Sequence, residues 1–202
     1  MSKRRTPRPK QRVEPKPPTK ALVDGWSKDN NRGSYVDTDK ALRQLFDTFP
    51  KNERLEDVLL KATAVNSLYH TRIHDIVSMA KHIHLQKIDR GLDAESIEVV
   101  DKIALVNVGT KMVNRFSFAT KYCNWHKPEV YPIYDSYVQK LLMAYRRCGY
   151  IPYFAEEDLR RAKSFKGIIF ALRDQYKLGD FTLKQIDNCL WGYGKDLYAK
   201  KR

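Results

Sequence analysis

The chain has 202 residues, enough for one ordinary domain or two small lobes. With 42% hydrophobic residues and 23 aromatics it can build a core, and no apolar run approaches a membrane span. Its formal net charge is +14, and three scattered cysteines exclude a four-thiolate cluster and fit a reducing compartment. The N-terminus is too basic and proline-rich for a signal peptide, so a cytoplasmic protein is expected, nucleoid-associated if prokaryotic.

Residues 1–20 hold eight basic residues, one acid and five of the nine prolines. Proline excludes helix and little there can be buried, so a disordered basic tail is expected, followed by a helical domain over 21–202. Such an arm gains affinity for a polyanion by releasing counterions. Residues 21–36 mix turn formers with two aromatics and read as an irregular lead-in. A short helix is expected over 39–46, ended by Pro50.

Leu55, Val58, Leu59, Ala62 and Val65 then form an amphipathic stripe. After a break at Asn66 and Ser67, a second stripe runs Ile73, Ile76, Val77, Ala80 and Ile83. Gly91 stops that segment, and Asp93 reads as the cap of a helix with Glu95 and Glu98 near its start. Further stripes follow at Met112, Phe116, Ala119 and Cys123, at Val138, Leu141, Leu142 and Tyr145, and at Phe165, Ile168, Ile169, Leu172 and Tyr176. Asp135 caps the second of these, and Thr182 with Gln185 forms a capping box before the last helix. No hairpin signal or internal repeat stands out. The expected class is all-α.

Between two expected helices lies Ile103-Ala-Leu-Val-Asn-Val-Gly-Thr-Lys111. Asn107 and Gly109 best tolerate positive φ in a tight turn, and the N–H groups of Gly109, Thr110 and Lys111 could hold a phosphate at a helix start. By itself such a turn is also an ordinary packed corner. This stretch, LVNVGTK, resembles the hairpin of the helix-hairpin-helix (HhH-GPD) DNA glycosylase superfamily, in particular its 8-oxoguanine glycosylase branch. Pro132-Ile-Tyr-Asp135-Ser-Tyr-Val is similar to that family's second catalytic element. Leu59-Leu-Lys-Ala-Thr-Ala-Val-Asn66-Ser-Leu-Tyr-His-Thr-Arg-Ile73 resembles its base-replacing turn.

The resemblance implies a two-lobed helical fold with its hairpin at about residues 97–122, no iron–sulfur cluster, and Lys111 and Asp135 as catalytic residues. It also implies base flipping, excision of a damaged or modified base and abasic-site lyase chemistry by β-elimination. Arg115 stands where the 8-oxoguanine enzymes carry a small pocket cysteine, and Tyr137 where many relatives carry a phosphate-binding histidine. Asn66, Ser67, Leu68 and Tyr69 could fill the gap left by the base, and Asn107, Val108, Gly109, Thr110 and Tyr137 could touch DNA. Arg115, Phe118, Tyr122, Trp191 and Tyr193 are pocket candidates.

The chemistry is consistent with that assignment. A carboxylate stabilises the positive charge that builds on the sugar as the base leaves. An attacking lysine must be neutral, and the positive end of a helix dipole disfavours the ammonium of a lysine in the first turn. His70 and His74 share a helical spacing, but the segment HTRIH lacks the glutamate of a zinc protease motif, so no metal or other cofactor is expected. Cys123, Cys148 and Cys189 read as buried thiols. The expected partner is duplex DNA carrying a damaged or modified base, bound by a monomer, with no membrane involved. Two other readings stay open: a non-catalytic helix-hairpin-helix DNA-binding protein, and a helical interaction domain with a basic tail.

Overall fold

The computed structural model describes residues 14–28 and 33–199. Ten α-helices dominate these residues, with one short hairpin: α1 (Lys20–Lys28), α2 (Gly33–Thr48), α3 (Leu55–Leu68), α4 (Ile76–Leu85), α5 (Asp89–Asp93), α6 (Glu98–Ala104), β1 (Leu105–Val108), β2 (Lys111–Asn114), α7 (Phe116–His126), α8 (Ser136–Arg147), a 3-10 turn (Glu156–Arg160), α9 (Ala162–Gln175) and α10 (Leu183–Tyr198). The all-α class holds. Among the described residues no helix is long and apolar enough to cross a membrane.

Two groups of helices share one continuous apolar cluster running from Val23 to Tyr193. In the first, α3 packs on α4, α6 packs on α7, and α2 leans on α3 and α7; in the second, α10 packs on both α1 and α8. Helix α7 crosses the centre. All but one of its first ten residues are buried, so it is not the one-sided helix that its stripe suggests. Gly194 lets α10 approach α8 closely, because a Cβ there would lie 2.8 Å from the carbonyl oxygen of Tyr137. The capping box opens α10 as expected: the Gln185 N–H donates to Thr182 Oγ1 at 3.2 Å, and the Thr182 N–H to Gln185 Oε1 at 2.8 Å.

Several expectations change. The expected tail of residues 1–20 is in part folded: Pro15 and Pro18 are buried, and the Lys16 N–H donates to the Tyr193 hydroxyl at 2.7 Å. Residues 1–13 of that tail lie outside the described residues. Part of the lead-in is helix α1, whose Val23 is buried and whose Trp26 packs on Gly192 and Tyr193. Asp93 ends α5 and pairs with Lys51 at 3.0 Å instead of capping a helix. Cys148 is half-buried, unlike Cys123 and Cys189.

The largest change concerns 103–114. Leu105 pairs with Asn114, Val106 with Val113, Asn107 with Met112 and Val108 with Lys111, which leaves Gly109 and Thr110 as a two-residue turn. Gly109 has φ of +60°, as the first position of such a turn demands, while Asn107 lies in extended strand without positive φ. The physical reason is local: β-branched Val106, Val108 and Val113 favour extended backbone, and Gly-Thr closes a hairpin whose buried member is Val106. Lys111 is therefore an exposed strand residue, with no helix dipole behind its amine.

Candidate active site

The centre of the site is a lysine ten residues further on. Lys121 lies on α7 with only 3% of its surface exposed. Its ammonium donates to Ser117 Oγ at 2.7 Å, to the Ser117 carbonyl at 3.2 Å and to the Tyr134 carbonyl at 2.9 Å. All three acceptors are uncharged, and the ring of Tyr69 stands 5.6 Å from the nitrogen. Burial is the dominant influence and lowers its pKa from 10.5 to about 8, against the upward pull of Asp135 and Asp187. An amine so placed is far more often neutral near pH 7 than a surface lysine.

The segment that crosses this lysine is pinned from both sides. The Tyr134 N–H donates to Thr120 Oγ1 at 3.1 Å, Asn124 Nδ2 to the Tyr131 carbonyl at 2.8 Å, and the Ile133 N–H to Asp187 Oδ2 at 3.0 Å. The next residue is Asp135, and its Oδ1 accepts the Tyr137 N–H at 2.7 Å as the cap of α8. With Gly194 seating α10 against α8, Asp187 on α10 lines the same cavity as the lysine, beyond ion-pair distance of its ammonium. Asp187 is 4% exposed, and burial pushes its pKa up to about 7 in spite of the Ile133 N–H and Lys184.

Lys121, Asp135 and Asp187 line one cavity of about 170 Å³, with Leu68, Tyr69 and Trp191 also in its wall. That is small beside pockets of roughly 300–1,000 Å³ for drug-sized ligands, and suits a single ring system. The cavity shares Asp39 and Lys184, an ion pair at 3.3 Å, with an open groove of about 850 Å³ along α2.

Of the residues expected from the sequence, the structure brings together Asp135, Leu68, Tyr69 and Trp191. Ser67 and Leu68 are exposed beside the cavity, and Leu68 keeps 38% of its surface. Asn66 is turned inward and braces the chain: Nδ2 donates to the Ile73 carbonyl at 2.9 Å, while Oδ1 accepts from Thr71 Oγ1 at 2.7 Å and the Ile73 N–H at 3.0 Å. Lys111, Asn107, Val108, Gly109 and Thr110 do not line the cavity and stand exposed on the hairpin. Arg115 heads α7, its N–H donating to the Ala104 carbonyl at 2.7 Å. Tyr137 is half-buried, with the Lys140 ammonium 5.4 Å from its ring.

Three pocket candidates are core residues instead. Phe118 and Tyr122 are buried and stacked 5.8 Å apart, and Tyr193 belongs to the contact between α1 and α10. Tyr122 joins a separate buried network, donating to Asn52 Oδ1 at 2.6 Å. Lys61 donates to that same oxygen at 2.8 Å, and Asn52 Nδ2 donates to Asp89 Oδ1 at 2.7 Å. Burial lowers Lys61 to about 8 and, with Lys61, Lys51 and Arg43 nearby, His126 to about 3.

Lys121 and Asp187 are not among the residues expected from the sequence. The available signal was a lone lysine inside the aromatic run Phe116-Ser-Phe-Ala-Thr-Lys-Tyr-Cys-Asn-Trp125, where a charged residue is out of place unless paired. Asp187 similarly interrupts the apolar face of α10, one turn before Trp191.

A family model, HI_0787_N, described as an N-terminal domain, matches residues 19–130, more than half of the chain. An uncharacterized protein of Haemophilus influenzae is 34% identical over 171 residues, which is 84% of this chain and 78% of that protein. No solved structure matches significantly. The family's domain takes in Lys121, and the relative's match extends over most of the chain; this protein belongs to the HI_0787_N family.

Proposed function

We propose that the protein is a DNA glycosylase with abasic-site lyase activity, and that Lys121, in place of Lys111, is its nucleophile. The observation that carries this reading is the buried, lowered lysine sharing one ring-sized cavity with the carboxylate of Asp135. A neutral Lys121 amine attacks C1′ of a flipped nucleotide, and Asp135 stabilises the positive charge that builds on the sugar as the base departs. The resulting Schiff base allows β-elimination of the 3′ phosphate. The order of base-replacing turn, hairpin and Pro-x-x-Asp segment agrees with the HhH-GPD arrangement, with a β-hairpin standing between α6 and α7.

The surroundings suit a flipped base. Trp191 and Tyr69 offer flat faces within the cavity, and exposed Leu68 and Ser67 beside it are placed to fill the vacated stack, offsetting an extrusion cost of a few kcal/mol. The hairpin supplies an exposed Asn107, Thr110 and Lys111, with Met112 63% exposed, as a further surface for DNA. A net charge of +14 favours a polyanion without reading sequence.

The test is borohydride trapping on duplexes carrying 8-oxoguanine opposite cytosine, uracil or an abasic site. The reading predicts a covalent adduct on at least the abasic duplex, lost in Lys121→Gln and retained in Lys111→Gln. Salt-sensitive duplex binding with no adduct on any substrate would instead favour a non-catalytic DNA-binding protein.

A further inference from the structure

We propose that Asp187 takes the proton that Lys121 must shed and delivers it to the group leaving C1′. This inference rests on the reading of Lys121 as a nucleophile. Asp187 Oδ2 is anchored by the Ile133 N–H at 3.0 Å, whereas the buried Oδ1 has no hydrogen-bond partner among the described residues. The carboxyl group is in the wall of the cavity that Lys121 also lines. A buried, unpartnered carboxylate oxygen is costly unless a substrate or a transferred proton completes it.

Lys121 has no other proton acceptor in hand. Its three donors go to two carbonyls and a hydroxyl, none of them a base near neutral pH. Of the two carboxylates whose charge it feels, each has one oxygen bound by a backbone N–H, but only Asp187 keeps its other oxygen buried and unpartnered. The charged and titratable groups facing Asp187 are Lys121 from α7, Glu129 from the segment after it, Asp135 at the head of α8, Asp39 from α2, Tyr69 and His70 after α3, and Lys184 on α10 itself. Lys184 is engaged with Asp39, which leaves Lys121, beyond ion-pair distance but lining the same cavity, as the exchange partner. Burial raises Asp187 and lowers Lys121, which draws their proton affinities together and favours the doubly neutral pair.

The step balances without a co-reactant. The Lys121 ammonium passes one proton to the Asp187 carboxylate, giving an amine and a carboxylic acid. The nitrogen lone pair forms the bond to C1′ as the bond from C1′ to the leaving group breaks and its electron pair departs. Asp187 returns the proton to that group, whether a base nitrogen or the hydroxide of an abasic site, which leaves as water. The lysine nitrogen then loses a proton to O4′ as the sugar ring opens, giving the protonated imine.

The test compares wild type with Asp187→Asn in trapping rate on an abasic-site duplex between pH 6 and 9. Alongside it, Lys121 is titrated in the DNA-free proteins by NMR of the lysine side chains. Loss of the negative charge lowers the Lys121 pKa, so a purely electrostatic Asp187 predicts that Asp187→Asn traps at the wild-type rate or faster at pH 7. The proton-transfer role predicts trapping at least tenfold slower at pH 7 despite that lower pKa, with a rate that climbs with pH where wild type is flatter. Asp187→Glu, which keeps a carboxyl group, should restore the flatter profile. Wild-type trapping with an undiminished rate in Asp187→Asn overturns the role of Asp187 alone. If Asp187→Asn does not fold, an Asp187→Glu protein with a steep profile overturns it equally. No wild-type adduct overturns the nucleophile assignment and this proposal with it.

Discussion

Replacing Lys121 by methionine should abolish Schiff-base chemistry and at the same time stabilise the protein. The side chains are of similar length, and burial has lowered the lysine from 10.5 to about 8. At about 1.4 kcal/mol per tenfold, that drop corresponds to roughly 3 kcal/mol lost to keeping a charge in the site at pH 7. The folded pKa lies below the unfolded one, so the cost is full below about pH 8 and fades as pH climbs from about 8 to 10.5. The acceptors left behind are not orphaned: Ser117 Oγ still donates to the Tyr134 carbonyl at 3.2 Å, and Thr120 Oγ1 to the Ser117 carbonyl at 3.3 Å. A gain of about 1–3 kcal/mol is therefore expected at pH 7, read from urea denaturation, with the difference from wild type shrinking by pH 10.5. A stability traded for function is common at reactive sites. Destabilisation of Lys121→Met by more than about 1 kcal/mol would refute the reasoning, since it would make the ammonium a net structural support.

Three further outcomes follow from other parts of the structure. Lys111→Gln should weaken duplex binding and lower the slope of log affinity against log salt by about one, leaving the trapping rate at saturating DNA unchanged; fluorescence anisotropy at several salt concentrations measures the first. Asn66→Ala removes three hydrogen bonds and strands the Ile73 N–H and carbonyl, which should cost about 1–3 kcal/mol in a denaturation series. His126, held neutral down to about pH 3, binds fewer protons folded than unfolded, so stability should fall by roughly 2 kcal/mol between pH 6.5 and 5 relative to His126→Gln. The comparison with the variant matters because Asp187, raised to about 7, acts in the opposite direction over that range.

The legible parts of the chain were those where one local signal had one structural outcome. Thr182 with Gln185, Asp135 before α8 and the stripe of α3 each specify a helix end or face that packing then uses unchanged. Residues 103–114 were harder, because LVNVGTK serves as a helix-to-helix turn or as two short strands. The alternation of Val106, Val108 and Val113 around Gly109-Thr110 favours strands, and that preference prevails where no helix face needs covering. Helix α1 was hidden because its apolar residues are few, and its partner surface on α10 lies some 165 residues away. The reactive lysine was obscured for the same kind of reason. Periodicity identifies the apolar stripe of α7 but not a helix buried on all sides, and it is burial beside the cavity that sets Lys121 apart from the surface lysines and from Lys61, which is buried but does not line it.

The most direct measurement is the identity of the trapped residue. Wild-type protein is reduced with borohydride on an abasic-site duplex, digested with a protease and a nuclease, and the modified peptide is sequenced by mass spectrometry. A deoxyribose remnant is expected on Lys121, within the peptide that follows Arg115. A remnant on Lys111, on the N-terminal amine or spread over surface lysines would contradict it.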